Sequence, residues 1–191
     1  MRALVLALAL LAPIESLDIV IQQAVQAHRT GWLERPMRAA TDIGKPGVVA
    51  GALLGIAVLD VAEGVPLARV ALVSAAVVNS VVEGIKWSTN RTRPDGDHKR
   101  SNSSFPSSHA ANACALAVLF ARRWPRCGAL FYAGAAMAAF SRVYLNRHFA
   151  SDVIVGALLG ALLSLAIARV MRWRVRGARG GAEWRPGAMA G

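Results

Sequence analysis

Five apolar segments, 47–59, 67–85, 110–121, 127–140 and 153–168, rich in alanine and leucine and bounded by clusters of charge, restrict this chain more than any other feature. Alanine and leucine favour helix, and none of the segments alternates apolar with polar residues at the two-residue period of a strand. An all-α fold is therefore predicted. A chain of 191 residues suits one domain, and 55% hydrophobic residues with a mean hydropathy of +0.42 are more than an ordinary soluble domain carries. Several of the segments are shorter than the ~20 residues a bilayer-spanning helix needs. Arg69, Lys86 and Arg169 stand where their charged ends can snorkel and lengthen the spans. The expectation is one integral-membrane bundle of about six helices. A soluble helical bundle is the alternative, because short apolar runs are also its signature.

The flanking regions divide the chain further. Residues 1–15 open with Met1-Arg2 and an apolar run, which fits either a secretory signal or an uncleaved anchor. Residues 16–46 mix Ile19, Ile21, Val25, Trp32 and Met37 with Asp18, Gln22, Arg29 and Arg38, the pattern of amphipathic helices on a surface. Residues 47–171 are expected to form the main helical domain, which carries the charged clusters described below, and 172–191 a basic, flexible cytoplasmic tail. Trp87, Trp124, Tyr144 and Trp173 lie near segment ends, as an aromatic belt would place them. Gly-Ala-Leu-Leu-Gly occurs at 51–55 and again at 156–160, a small-xxx-small spacing that lets helices approach closely.

The formal net charge is +11. A basic balance suits phosphates, anionic lipids and nucleic acids alike. Here the basic residues sit at the ends of apolar segments, without a nucleic-acid-binding signature, so no nucleic-acid partner is expected. Arg122, Arg123 and Arg126 with the arginines of the tail mark one end of the bundle as cytoplasmic by the positive-inside rule. Cys114 and Cys127 have neither metal-site spacing nor the density of a disulfide framework, and read as small core residues.

The chemistry is carried by three clusters at helix ends: Lys86-x6-Arg93-Pro94, Pro106-Ser107-Ser108-His109 and Ser141-Arg142-x5-His148-x3-Asp152. Up-and-down connectivity brings all three to one end. Ionisable groups gathered there in an otherwise apolar bundle are expensive unless they serve a function. Lys86, Arg93 and Arg142 can meet the negative charge on phosphate oxygens, arginine through its planar fork. Arg91 and Lys99 better fit lipid headgroups. Ser107 and Ser108 precede an apolar helix, whose N-terminus offers free N–H groups to an anion, and Ser107 is also a natural N-cap. His148 and Asp152 are four apart, so a carboxylate is within reach of the imidazole. His28 and His98 lie outside the clusters.

The clusters resemble the three-part signature of the type 2 phosphatidic acid phosphatase family, which includes membrane lipid phosphatases, soluble bacterial acid phosphatases and vanadium haloperoxidases. The resemblance covers residues 86–152, and departs where Ser108 stands at a position commonly occupied by glycine. It implies a phosphatase acting through a phosphohistidine, with His148 as nucleophile, Asp152 as its orienter, His109 as general acid, and Lys86, Arg93, Ser107, Ser108 and Arg142 binding phosphate. It implies no metal and no cofactor. The substrate would be a phosphate monoester or diphosphate of a membrane lipid, and the site would lie at the extracytoplasmic end of a multi-pass inner-membrane protein. A soluble secreted acid phosphatase, a haloperoxidase and a non-enzymatic lipid-binding protein are the rival readings.

Overall fold

The computed structural model describes residues 2–59, 61–98 and 102–172; the tail beyond 172, with Trp173, and Lys99 lie outside the described residues. Seven α-helices account for them: α1 (Arg2–Ala27), α2 (Gly31–Asp42), α3 (Pro46–Leu59), α4 (Val61–Thr89), α5 (Ser108–Arg123), α6 (Gly128–Tyr144) and α7 (Ala150–Val170). The all-α expectation holds, with seven helices where about six were anticipated. The apolar segments became α3 to α7. The N-terminal stretch forms one helix that runs unbroken through residues 15 and 16, and a second, α2, at a 57° bend to α3.

Within the described residues α4 from Gly64 onward and α7 are long and apolar enough to cross a bilayer, and the bent α2–α3 pair would make a third span. Their outward faces are apolar: Leu72, Val73, Ile154, Leu158 and Leu162 are exposed. On α7 the buried positions Asp152, Gly156, Gly160, Ser164 and Ala168, spaced by four, are small or polar, and Val153 joins them. Large apolar side chains turned outward suit lipid as the surrounding medium, because lipid gives them no reason to turn inward.

Helix α5 is the centre of the bundle, packed against α4, α6 and α7. Its closest approach is to α7, through the second Gly-Ala-Leu-Leu-Gly. A Cβ at Gly156 would stand 2.5 Å from the Ser107 carbonyl oxygen, and one at Gly160 would overlap the Ala111 carbonyl. The first copy has no such role: a Cβ at Gly51 or Gly55 would meet nothing within 4 Å. Gly160→Ala should therefore destabilise the bundle by about 2 kcal/mol through overpacking, whereas Gly55→Ala should be neutral or slightly stabilising through helix propensity. Thermal unfolding in detergent measures both, and equal midpoints for the two variants would refute the distinction.

Helix α1 has distinct polar and apolar sides. Asp18 and Gln22 are buried while Leu17, Ile19 and Val20 are exposed, so its polar side faces the protein. Gln22 Nε2 donates to the Val143 carbonyl (3.2 Å) and to Asn146 Oδ1 (2.6 Å), and Gln26 Nε2 reaches the Val143 and Tyr144 carbonyls at 3.2 Å. Tyr144 is not a belt residue. It is buried, accepting from the Thr30 N–H and donating to the Thr30 carbonyl. Trp124 packs edge-on against Phe120 and beside Phe131, leaving Trp87 as the exposed aromatic at a segment end. Cys114 is half-buried beside α6, but Cys127 is exposed in the 3-10 turn Pro125–Cys127, outside the core.

Candidate active site

Reversal of the chain at each connection brings the C-terminal ends of α4 and α6 to the N-terminal ends of α5 and α7. Between them lies a cavity of ≈ 510 Å³ whose lining includes Lys86, Arg93, Ser108, His109, Arg142 and His148. Six of the eight expected site residues thus meet at one opening. The other two stand behind it. Ser107 is fully buried, its Oγ accepting from the Ala110 N–H (3.4 Å) and its N–H donating to the Asp152 carbonyl (3.0 Å). It is the N-cap of α5 and does not line the cavity. Asp152 is also fully buried, beneath His148.

Arg93 and Arg142 keep most of their charge available, while Lys86 is held in an ion pair. Arg93 donates only to neutral acceptors: Nε to the Asn102 carbonyl (2.9 Å), one terminal nitrogen to Asn102 Oδ1 (2.7 Å), the other to the Arg147 carbonyl (3.1 Å). Arg142 donates to the Thr41 hydroxyl (2.9 Å), and its buried Nε has no partner among the described residues. Lys86 bridges Glu83 Oε1 (2.8 Å) and the Ser108 hydroxyl (2.6 Å). Two guanidinium groups locked in place without a bonded carboxylate are ready to receive an anion, since neutral acceptors orient charge without cancelling it. The start of α5 adds the free N–H groups and positive dipole end of its first turn.

Ser108 therefore has a structural role: its hydroxyl tethers the Lys86 ammonium. One such bond contributes about 1 kcal/mol, so Ser108→Gly should cost only several-fold in kcat/KM. A loss beyond a hundredfold in steady-state assays would mean that the hydroxyl itself contacts the substrate.

His148 departs from the expected geometry. It precedes α7 rather than lying on it, so the i, i+4 relation to Asp152 is closed by the loop at the helix start. Its Nδ1 stands 2.7 Å from the Ser104 carbonyl and 3.8 Å from Asp152 Oδ2, beyond hydrogen-bond range. A carbonyl only accepts, so Nδ1 carries the proton and Nε2 keeps a lone pair. Burial, with Arg93 and Arg142 nearby, pushes the imidazole pKa down to about 4, against the pull of Asp152. At neutral pH it is uncharged.

Asp152 holds the loop that holds His148. Its carboxylate accepts from the Ser104 hydroxyl (2.5 Å), the Phe149 N–H (2.8 Å) and Arg91 (2.6 Å). Arg91 is thus no headgroup contact. Its other terminal nitrogen donates to Asp18 Oδ2 (2.8 Å) on α1, and its plane lies 4.4 Å from the Phe149 ring centre. Asp18, 2% exposed, also accepts from the Ser151 N–H and hydroxyl. A chain of bonds runs from α1 through Asp18, Arg91 and Asp152 to Ser104 and the nucleophile position. Arg91, Asp18 and Ser104 were not singled out for this in the sequence, because a polar loop residue and a helix acid carry no mark of burial. Asn79 and Asn112, which exchange amide hydrogen bonds at 3.1 Å in the cavity wall, went unnoticed for the same reason.

His109, in the first turn of α5 ahead of its apolar run, faces the same cavity. Burial first, then Arg142, His148, Lys86 and Arg93, push its pKa down to about 4. Gly44, at the bend between α2 and α3, lies so near that a Cβ would be 2.9 Å from the His109 carbonyl oxygen. His98 lies apart, bonded to Thr92 on the outer loop, and His28 bonds its own helix at Ala24.

Known proteins resemble this chain in sequence and in fold. A Lipid A 1-phosphatase from Porphyromonas gingivalis is 39% identical over 92 residues, 46% of this chain and 20% of its own length. One from Rhizobium johnstonii is 34% identical over 98 residues, 45% of this chain and 40% of its own. The chain thus spans well under half the length of these curated relatives. Among solved structures, a transmembrane PAP2-type phosphatidylglycerolphosphate phosphatase from Bacillus subtilis superposes with a TM-score of 0.69 and 25% identity, covering 86% of this chain and 89% of that one. Aquifex aeolicus LpxE superposes with a TM-score of 0.66 at 21% identity, over 80% and 95% of the two chains. With its apolar exterior and these neighbours, the protein is a multi-pass membrane protein. The PAP2 superfamily model matches residues 67–176, more than half the chain and all three clusters, and the chain belongs to that superfamily.

Proposed function

We propose that this protein is a membrane lipid phosphatase that hydrolyses a phosphate monoester or diphosphate of a membrane lipid through a phosphohistidine at His148. The observation that carries this is an uncharged imidazole, fixed by the Ser104 carbonyl, at the wall of a cavity whose lining also holds Lys86, Arg93 and Arg142. In the first step Nε2 attacks phosphorus, the bond to the leaving oxygen breaks, and His109 protonates that oxygen. In the second, water attacks the phosphohistidine, His109 takes its proton, and phosphate leaves as the imidazole regains its lone pair. Throughout, the three cations meet the charge on the non-bridging oxygens, the largest stabilisation a protein offers phosphoryl transfer. His109 must be protonated to act as acid, and its burial first, then the cations around it, oppose that. A bound phosphate dianion offsets those cations and so favours protonation.

Lys86, Arg93, Arg142 and Arg147 outnumber the one acid of the lining, Glu83, and repel a metal ion, which supports a reaction without one. Vanadate, as a trigonal mimic of the group in flight, should inhibit, and phosphate release from lipid phosphates in detergent should persist with chelator present. Activity lost to chelator and restored by magnesium would reject the mechanism.

Lipid as substrate fits a site opening at the end of an apolar bundle, and it fits what the relatives' names say they act on. We place the protein in the inner membrane with the site facing the periplasm or exterior. Arg122, Arg123, Arg126 and Arg169 stand at the end opposite the site, the cytoplasmic one by the positive-inside rule. The exposed apolar faces of α4 and α7 weigh against the soluble secreted form.

A further inference from the structure

Beside the catalytic cavity lies a second, of ≈ 360 Å³, and nothing in the mechanism above uses it. Five cations line it, Arg29, Arg38, Lys45, Arg142 and Arg147, against one lining acid, Asp42. The acids nearby do not balance them. Glu34 is shared between Arg29 and Arg38, each at 2.8 Å, Asp42 holds Lys45 at 2.7 Å and Asp95 holds Arg147 at 2.8 Å, so three acids meet five cations. Arg142 and Arg147 belong to both cavities, so the two spaces meet across a pair of guanidinium groups. Arg142 bonds there to a neutral hydroxyl, and its Nε is buried with no partner among the described residues. A concave surface with an excess of one sign of charge concentrates counter-ions.

We propose that this second cavity is a subsite for a further phosphate of the substrate headgroup, one that is not cleaved. The proposal rests on the lipid phosphatase reading above. Arg142 and Arg147 join the two sites, so a headgroup with its second anion a few bonds from the scissile phosphorus can occupy both. The non-cleaved phosphate then lends binding energy to positioning the one that leaves. Its walls come mainly from α2 and the α2–α3 bend, outside the residues that match the family model. A neighbouring anionic lipid or released inorganic phosphate offers the same chemistry, and the test separates the sources.

The probes are two short-chain lipids in neutral detergent micelles: dioctanoyl phosphatidylglycerol phosphate, with a phosphodiester three carbons from its terminal monoester, and dioctanoyl phosphatidate, with the monoester alone. The wild type should favour the first at least tenfold in kcat/KM. The double variant Arg38→Ala/Lys45→Ala, at side chains 67% and 54% exposed, should erase that preference while phosphatidate cleavage stays within about threefold. Retained phosphatidate cleavage also shows that the variant folds. A wild type without the preference, a variant that keeps it, or one that loses both substrates equally overturns the proposal. So does a variant changed only in its response to added phosphatidylglycerol, which would make the cavity a bilayer contact, or only in inhibition by inorganic phosphate, which would make it a product site. A wild type that cleaves neither lipid refutes the lipid phosphatase reading itself, and the subsite with it.

Discussion

His148→Ala is expected to abolish phosphate release from every substrate, whereas His109→Ala should lose alkyl phosphates and keep much of its activity on a nitrophenyl phosphate. The asymmetry follows from the two positions. His148 presents a lone pair fixed by the Ser104 carbonyl, while the other imidazole of the lining, His109, is assigned the proton transfer. Without it no covalent intermediate forms. His109 acts on the leaving oxygen, and its contribution scales with how much that oxygen needs a proton. An alkoxide needs it greatly and a nitrophenolate hardly at all. An acid typically contributes 10²- to 10⁴-fold, so the His109 variant should fall by about that factor on phosphatidate and by far less on the aryl ester. Radiolabelled phosphate should also accumulate on the His109 variant if hydrolysis of the phosphohistidine slows. A His148 variant with aryl phosphatase activity, beside a His109 variant dead on both substrates, would reverse the assignment.

Much of this site was legible as spacing along the chain. The seven-residue step from Lys86 to Arg93, the pair Ser108-His109 and the run from Arg142 to Asp152 fall at ends of apolar helices, and helix ends converge when short connections reverse the chain. What spacing does not show is which partner each group finds. Asp152 looked like the direct orienter of His148 because four residues close one helical turn, but α7 begins after the histidine, and the Ser104 carbonyl takes the bond instead. A backbone acceptor has no side-chain signature. Ser107 belonged to the right motif, and its burial as an N-cap shows only once α5 has a starting point. Residues 16–46 left open which side of each helix would face the protein. In water the apolar face of an amphipathic helix turns inward, while beside lipid the polar face does, so the same pattern fits opposite orientations. The two copies of Gly-Ala-Leu-Leu-Gly are identical in sequence, and only packing shows that one touches a backbone while the other faces open space.

Arg91→Ala should be nearly as damaging as loss of a residue in the cavity wall, although Arg91 does not line the cavity. It joins two buried carboxylates, Asp152 at 2.6 Å and Asp18 at 2.8 Å, whose side chains are 0% and 3% exposed. Removing one partner of a buried pair leaves a charge in a medium that cannot solvate it, a cost of about 3 kcal/mol or more. Here both acids are stranded at once. Asp152 would relieve that cost by shifting or taking up a proton, and either change loosens its hold on the Ser104 hydroxyl and the Phe149 N–H. Ser104 supplies the carbonyl that fixes the His148 tautomer, so the disturbance reaches the nucleophile through one residue. The expected result is a fall in kcat of at least about a hundredfold, some 2.7 kcal/mol, on alkyl and aryl phosphates alike, because the nucleophile rather than the acid is affected. Vanadate affinity should change much less, since Lys86, Arg93 and Arg142 stay in place. Arg91→Lys should fall between, as an ammonium has no planar fork to hold two carboxylates in fixed directions. Asp18→Asn should be milder still, because the amide oxygen can still accept from Ser151. Wild-type kcat in Arg91→Ala, or a loss confined to alkyl phosphates, would show that Asp152 and Ser104 hold the imidazole without help from α1.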